Sequence, residues 1–248
     1  MMNKNNLSTV DLKENKKFKD YFYEWWNIDG PFKPLHLFNF IRVDFLKNTI
    51  SIDPKNPKPL KNYNILDIGC GGGIFCEPLY KLGANIIGID TNEKAVKIAK
   101  LHAKSNGLNI KYHLTDIENF KSKVKFDIVC AMEVLEHINN IEFFVKKTKD
   151  LLKKDAYFLG STINKTPLSY IKAIFWAEKI FKLLPENTHD WNKFVPPNKV
   201  KVILASNGFK EIDFQGTTYN PILSKWSYIN SLDTNYCFSA RNESQQKI

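Results

Sequence analysis

Arginine is almost absent from this chain. Only Arg42 and Arg241 occur among 36 basic residues, although the formal net charge is +10. Specific readers of nucleic-acid bases lean on the bidentate fork of arginine, so this scarcity disfavours a nucleic-acid partner. Lysine spread along the chain fits a solvated surface, or attraction to an anionic lipid surface. Long hydrophobic runs are missing too. No run of about 18 apolar residues is free of charge, which excludes an obvious spanning helix. The first twenty residues mix lysine with acids and contain no apolar core, so neither a secretory nor a transit signal is read and a cytosolic compartment is expected. The four cysteines (Cys70, Cys76, Cys130 and Cys237) have no CxxC spacing. They read as reduced, buried small residues rather than disulfides or a zinc site.

What is present is a regular alternation of apolar segments and amphipathic ones. Residues 1–62 read as an N-terminal extension: a polar start, one or two aromatic-rich helices over 18–50, and a Pro/Lys-rich linker at 51–62. Strands are expected at 64–69, 84–90, 110–114, 126–131 and 157–163, with a helix ending near Asn106-Gly107 and another over about 140–152. Later strands are expected at 209–216 and 234–240, one of them antiparallel at an edge. This order predicts an α/β fold with a doubly wound, mostly parallel sheet over 63–241, a helical insert at about 164–195, and a polar tail at 242–248.

The first strand runs into Asp67-Ile-Gly69-Cys-Gly71-Gly72-Gly73. Glycine suits that position because the backbone must turn sharply and approach a ligand. A dinucleotide fingerprint would need a further glycine at position 74 or 76, which are Ile74 and Cys76, so both registers fail. The remaining pattern is G-x-G-x-G preceded by an acid, that of the S-adenosylmethionine-dependent methyltransferases. Asp67 suits a ligand with a cationic amino group. Asp90, at the end of the second strand, can accept the hydroxyls of a ribose. The other reading of both acids is as helix caps.

With those residues in place, the chain resembles the class I S-adenosylmethionine methyltransferases. Within them it is most similar to the ubiquinone-biosynthesis O-methyltransferase family. The likeness rests on WWNIDGPFKPLH (25–36), LDIGCGGGIF (66–75), AKLHA (99–103), MEVLEHI (132–138), THDWNKF (188–194) and YNP (219–221). It implies methyl transfer from S-adenosylmethionine to a ring hydroxyl of a polyprenylated phenol or quinol, with other ubiquinone-synthesis enzymes as possible partners. It also implies that Arg42 binds the cofactor carboxylate, that Gly69, Gly71 and Asp90 contact its methionine and ribose parts, and that Met132 lines its site. Two departures stand out. Leu37 and Phe38 replace the residues that usually follow PLH, and Lys154-Asp155-Ala156 replaces a Pro-Gly-Gly turn.

Methylating a phenol requires a base, or a metal that acidifies the hydroxyl. Glu133, Glu136 and His137 are spaced i, i+3 and i+4, so a helical turn would put them on one face. The resemblance implies magnesium at these positions. The alternative pairs Glu136 with His137 as a cap and leaves Glu133 to the cofactor or solvent. His137 is a candidate base, with Glu136 beside it, and His189 is a second candidate base or an ordinary loop histidine. The segment 168–185 is apolar almost all round and reads either as a lid meeting an anionic lipid surface or as a buried helix. Two other functions fit less well: a non-catalytic cofactor-binding scaffold, and an RNA methyltransferase suggested by charge alone.

Overall fold

The computed structural model describes residues 25–30, 32–170, 191–220 and 222–243. His189 and most of the apolar segment 168–185 lie outside the described residues.

Eight strands form one sheet in the order β3-β2-β1-β4-β5-β8-β6-β7. The strands are β1 (Asn64–Ile68), β2 (Asn85–Asp90), β3 (Lys111–Leu114), β4 (Phe126–Met132), β5 (Leu152–Ile163), β6 (Lys210–Asn220), β7 (Lys225–Ile229) and β8 (Asn235–Arg241). β1 to β5 pair in parallel. β8 runs antiparallel between β5 and β6, and β7 closes the edge as a hairpin with β6. The antiparallel edge is thus three strands wide, where the sequence suggested one.

Helices α1 (Lys33–Thr49), α2 (Cys76–Lys81), α3 (Glu93–Ser105), α4 (Ile141–Leu151) and α5 (Pro197–Ser206) flank the sheet. Asn92 caps α3, accepting from the Lys94 and Ala95 amides, and Asn140 caps α4 through the Phe143 amide; each satisfies a donor that the first turn leaves without a partner. Pro197 opens α5, a position where its missing N–H costs nothing. That helix was not expected from the sequence, and neither was β7.

Strand alternation divides the core in two. One face gathers Phe126, Val129, Phe158, Tyr236 and Phe238 against α4 and α5. The other gathers Ile65, Ile128, Cys130, Met132 and Leu159 with Phe38, Phe45 and Leu46 of α1. α1 therefore packs on the sheet, and the Tyr228 hydroxyl of β7 donates to the Ile41 carbonyl and Asp44. Leu60, in the Pro/Lys-rich stretch, is fully buried in this second core. All four cysteines are buried and free. No helix among the described residues is long and apolar enough to cross a membrane.

Phe158 is fully buried and meets Phe238 edge-to-face at 5.3 Å. Phe158→Ala removes that ring and leaves a cavity, so it should cost about 3–5 kcal/mol in a denaturant-unfolding measurement.

Candidate active site

The carboxyl ends of β1, β2 and β4 share one edge of the sheet, and the expected site residues collect there. After β1 the chain turns through Gly69, Gly71 and Gly73 with φ of 71°, 52° and 87°. These angles are strained for residues with a Cβ. At Gly71 there is also no room, because a Cβ would lie 2.5 Å from the Trp25 ring.

The WW…PLH stretch acts as a strap over this loop. Trp25 stacks on Phe32 at 3.9 Å between centroids. The Trp26 indole N–H donates to the Gly72 carbonyl at 2.9 Å, and its ring stacks on His102 at 3.5 Å. His102 in turn pairs with buried Glu77 at 2.6 Å. His36 bonds the Trp25 carbonyl, and the Asn39 amide donates to the Ile74 carbonyl. Two segments on which the family likeness rests, 25–36 and 99–103, are therefore joined at the glycine loop. Apart from the unusual Trp-Trp pair, nothing in the sequence signals these contacts.

Asp67 is buried and accepts a hydrogen bond from the Cys76 thiol at 3.1 Å. Burial pushes its carboxyl up to about 7, against a downward pull from the Cys76 bond and Arg42. Asp90 accepts the Gly71 amide at 2.8 Å and the Asn92 amide at 2.8 Å, so it ties the loop to the start of α3. Burial raises its pKa, and those amide bonds oppose the rise. Met132 ends β4, buried in the core that contains Phe38.

Arg42 is buried, at 4% exposure, and its Nε and Nη2 have no hydrogen-bond partner among the described residues. Buried donors are almost always paired in a finished structure, so a guanidinium left in this state marks a place for an anionic ligand group. Phe38, one of the two departures noted above, lies beneath it, with its ring 5.0 Å from the guanidinium carbon. Glu133, then Asp67 and, more weakly, Glu136 act on the Arg42 charge, yet burial is the larger effect and lowers its pKa. The residues thus fit an amino-acid-bearing cofactor: a cation without a partner for its carboxylate, acids for its ammonium, and a loop that admits close approach.

Glu133, Glu136 and His137 do not share a helical face. Glu133 has a left-handed backbone, φ 57°, and only Leu135–His137 form a short 3-10 turn. The Ser161 hydroxyl donates to Glu133 Oε1 at 2.6 Å, and the Thr162 hydroxyl donates to Glu136 Oε2 at 2.6 Å. Ser161 and Thr162 are neighbours on β5, so their side chains point to opposite faces of the sheet and carry the two carboxylates with them. Among the described residues no group of three His, Cys, Asp or Glu is placed to hold a metal ion. The expected magnesium set is not assembled among the described residues. Ser161 and Thr162 were missed in the sequence, where two hydroxyls at the end of a strand carry no distinguishing signal.

Glu133 stays on the Arg42 side. Burial, followed by the charge of Glu136, pushes its carboxyl up to about 7. His137 is half-buried, and its charge reaches both Asp90 and Glu133. Glu136 is on the other side, bordering a cleft of about 430 Å³ lined also by Asn140, Asn192, Phe194, Lys199 and Ile203. Asp155, in the altered turn before the middle of β5, has φ 59°, which is a glycine-like conformation.

Asp67 and Glu133 have folded pKa values raised to about 7. Between their ordinary range near 4 and that value, the free protein binds more protons than its unfolded chain, so their contribution to stability falls as pH rises through this window. An arriving ammonium favours the charged carboxylates and expels those protons. Affinity for such a ligand should therefore rise between about pH 6 and pH 8. Calorimetry in buffers of different ionisation enthalpy should register net proton release near neutral pH.

Comparison with known proteins agrees with this geometry. A family profile described as a methyltransferase domain matches residues 14–213. Among solved structures, the chain is similar to magnesium protoporphyrin IX methyltransferase from Synechocystis PCC 6803 with bound SAH, at TM-score 0.65 and 20% identity over 93% of this chain and 98% of that one. It is also similar to a SAM-dependent methyltransferase from Thermotoga maritima, at TM-score 0.63 and 17% identity over 93% of this chain and 99% of that one. At such identities these structures establish the fold, which is that of the class I methyltransferases. The ubiquinone biosynthesis O-methyltransferase of Pelagibacter ubique is 43% identical over 93% of this chain and 97% of its own length. That of Bartonella bacilliformis is 41% identical, over 95% and 97% respectively. With its glycine loop, its Arg42 and its N-terminal strap in place, the chain belongs to the ubiquinone biosynthesis O-methyltransferase family.

Proposed function

We propose that the chain transfers the methyl group of S-adenosylmethionine to a ring hydroxyl of a polyprenylated phenol or catechol intermediate in ubiquinone biosynthesis. The observation that carries the reading is the buried Arg42 guanidinium, with no hydrogen bond on Nε or Nη2, beside Asp67 and the left-handed glycine loop. Bound there, S-adenosylmethionine supplies an activated sulfonium methyl. Arg42 holds the carboxylate, Asp67 faces the ammonium, Gly69 and Gly71 pass close to the methionine chain, Asp90 accepts the ribose hydroxyls, and Met132 packs beneath.

A phenol of pKa about 10 is mostly protonated at neutral pH and needs a proton acceptor. His137 takes that role. Glu136, bonded to Thr162, anchors the turn that carries His137. His189 remains a second candidate for contact with the substrate.

The site opens toward lipid in this reading, which suits a substrate with an isoprenoid tail. The β6–β7 hairpin supports it. Thr217 pairs with Asn235 at the level of the site edge, and β6 continues to Asn220, about 10 Å further at 3.3 Å per residue. The turn beyond carries Ile222 and Leu223, 91% and 69% exposed, backed by Tyr219 and Trp226 with rings 5.5 Å apart. Apolar tips behind aromatic residues are suited to the headgroup region of a bilayer.

Incubation with labelled S-adenosylmethionine and a short-tailed demethylated quinol should place the label on a ring oxygen. His137→Gln should lower kcat by about a hundredfold or more while the affinity for S-adenosylhomocysteine stays within a factor of about two. Absence of label from the quinol, with the cofactor bound, would sink the proposed reaction. Replacing Ile222 and Leu223 together by Asp should weaken co-sedimentation with anionic vesicles and leave turnover of the short-tailed quinol unchanged.

A further inference from the structure

The metal set that the sequence suggested is split by the sheet, and its first member is left facing the cofactor side. Three observations bear on Glu133. Its backbone is left-handed without being glycine. Such a conformation persists where the surroundings fix it, and it is found most often at working sites. Here Ser161 fixes it from three directions: the Glu133 amide donates to the Ser161 carbonyl at 2.9 Å and to its Oγ at 3.1 Å, while the Ser161 hydroxyl returns a bond to Oε1 at 2.6 Å. Oε2 accepts no hydrogen bond among the described residues.

The second observation is what stands opposite. Glu133 is the leading charge acting on Arg42, but no N–O contact within 4.0 Å joins them. Opposite charges held close and apart from water would collapse onto each other unless the backbone kept them separate. A guanidinium with two unpaired donors and, acting on it without an ion-pair contact, a carboxylate held in place by Ser161 match the two ends of an amino-acid zwitterion. Third, Glu136 is bonded to Thr162, and among the described residues no group of three His, Cys, Asp or Glu is placed to hold an ion with Glu133.

We propose that Glu133 is a cofactor-binding residue, receiving the ammonium of the cofactor's amino-acid end opposite Arg42, and is not a metal ligand. This rests on the cofactor assignment made above. Ser161 is its positioning residue.

The test measures binding of two ligands to the full chain by calorimetry: S-adenosylhomocysteine, and 5′-methylthioadenosine, which lacks the amino-acid end. Glu133→Gln should weaken the first by about ten- to a hundredfold, as expected for losing a hydrogen bond between charged groups, and leave the second within a factor of about two. Magnesium or a chelator should change neither value. Ser161→Ala, which keeps the carboxylate but frees its direction, should show a smaller loss with the same selectivity, and it decides the matter if Glu133→Gln does not fold. Equal weakening of both ligands would assign Glu133 a structural part and overturn the proposal. So would unchanged binding of S-adenosylhomocysteine, or magnesium binding by the native chain that Glu133→Gln abolishes. If the native chain bound neither nucleoside, the cofactor reading itself would fall, separately from the role of Glu133.

Discussion

A buried cation whose ligand-facing donors are left without partners is the feature around which this site is organised. Arg42 is kept out of water by α1 and the sheet, over the Phe38 ring, with Asp67 and Glu133 near enough to stabilise its charge but not bonded to it. Burying such a group is costly unless something completes its hydrogen bonds. An amino-acid-bearing ligand that completes those bonds relieves that cost. The raised carboxyl groups of Asp67 and Glu133 are the other side of the same arrangement, because burial there disfavours their charged forms until a cation arrives.

The rest of the fold holds these groups in place. Parallel strands bring Asp67, Asp90 and Met132 to one edge. The glycine loop turns between them because its residues tolerate left-handed angles. The Trp-Trp strap then presses on that loop from outside, tied to α3 through His102 and to α2 through Glu77. A segment that could be mistaken for an appendage is in this way part of the cofactor site, and α1 brings both the strap and Arg42 to it.

Much of this was legible in the sequence, and the reasons differ from element to element. Apolar runs bounded by turn residues marked β1, β2 and β4 to within a residue or two, because strands buried on both faces have little else in them. β5 begins earlier than its apolar run, at Leu152, since its polar first half is held by hydrogen bonds with Asn242 and by the Lys153–Asp127 ion pair rather than by burial. β7 and α5 were missed: the first is a short edge strand with mixed residues, the second starts at a Pro-Pro pair that looks like a break. Arg42, Asp67 and Asp90 could be named because each answers to one ligand group. The Glu133–Glu136–His137 spacing misled because it presumes helical geometry. A single left-handed residue, fixed by a serine 28 positions away, sends the carboxylates to opposite faces.

The place of β8 has a consequence for how the chain acquires its shape. β8 follows β6 and β7 in sequence, yet it lies between β5 and β6 in the sheet. During synthesis the β6–β7 hairpin can form by itself and meet α1 through Tyr228, but it has no strand of the sheet to pair with until β8 has left the ribosome and filled the space beside β5. Tyr236 and Phe238 complete the core on one face, and Cys237 completes it on the other. Closure of both hydrophobic layers, and with it the firm seating of Arg42, therefore waits for the last strand to be made.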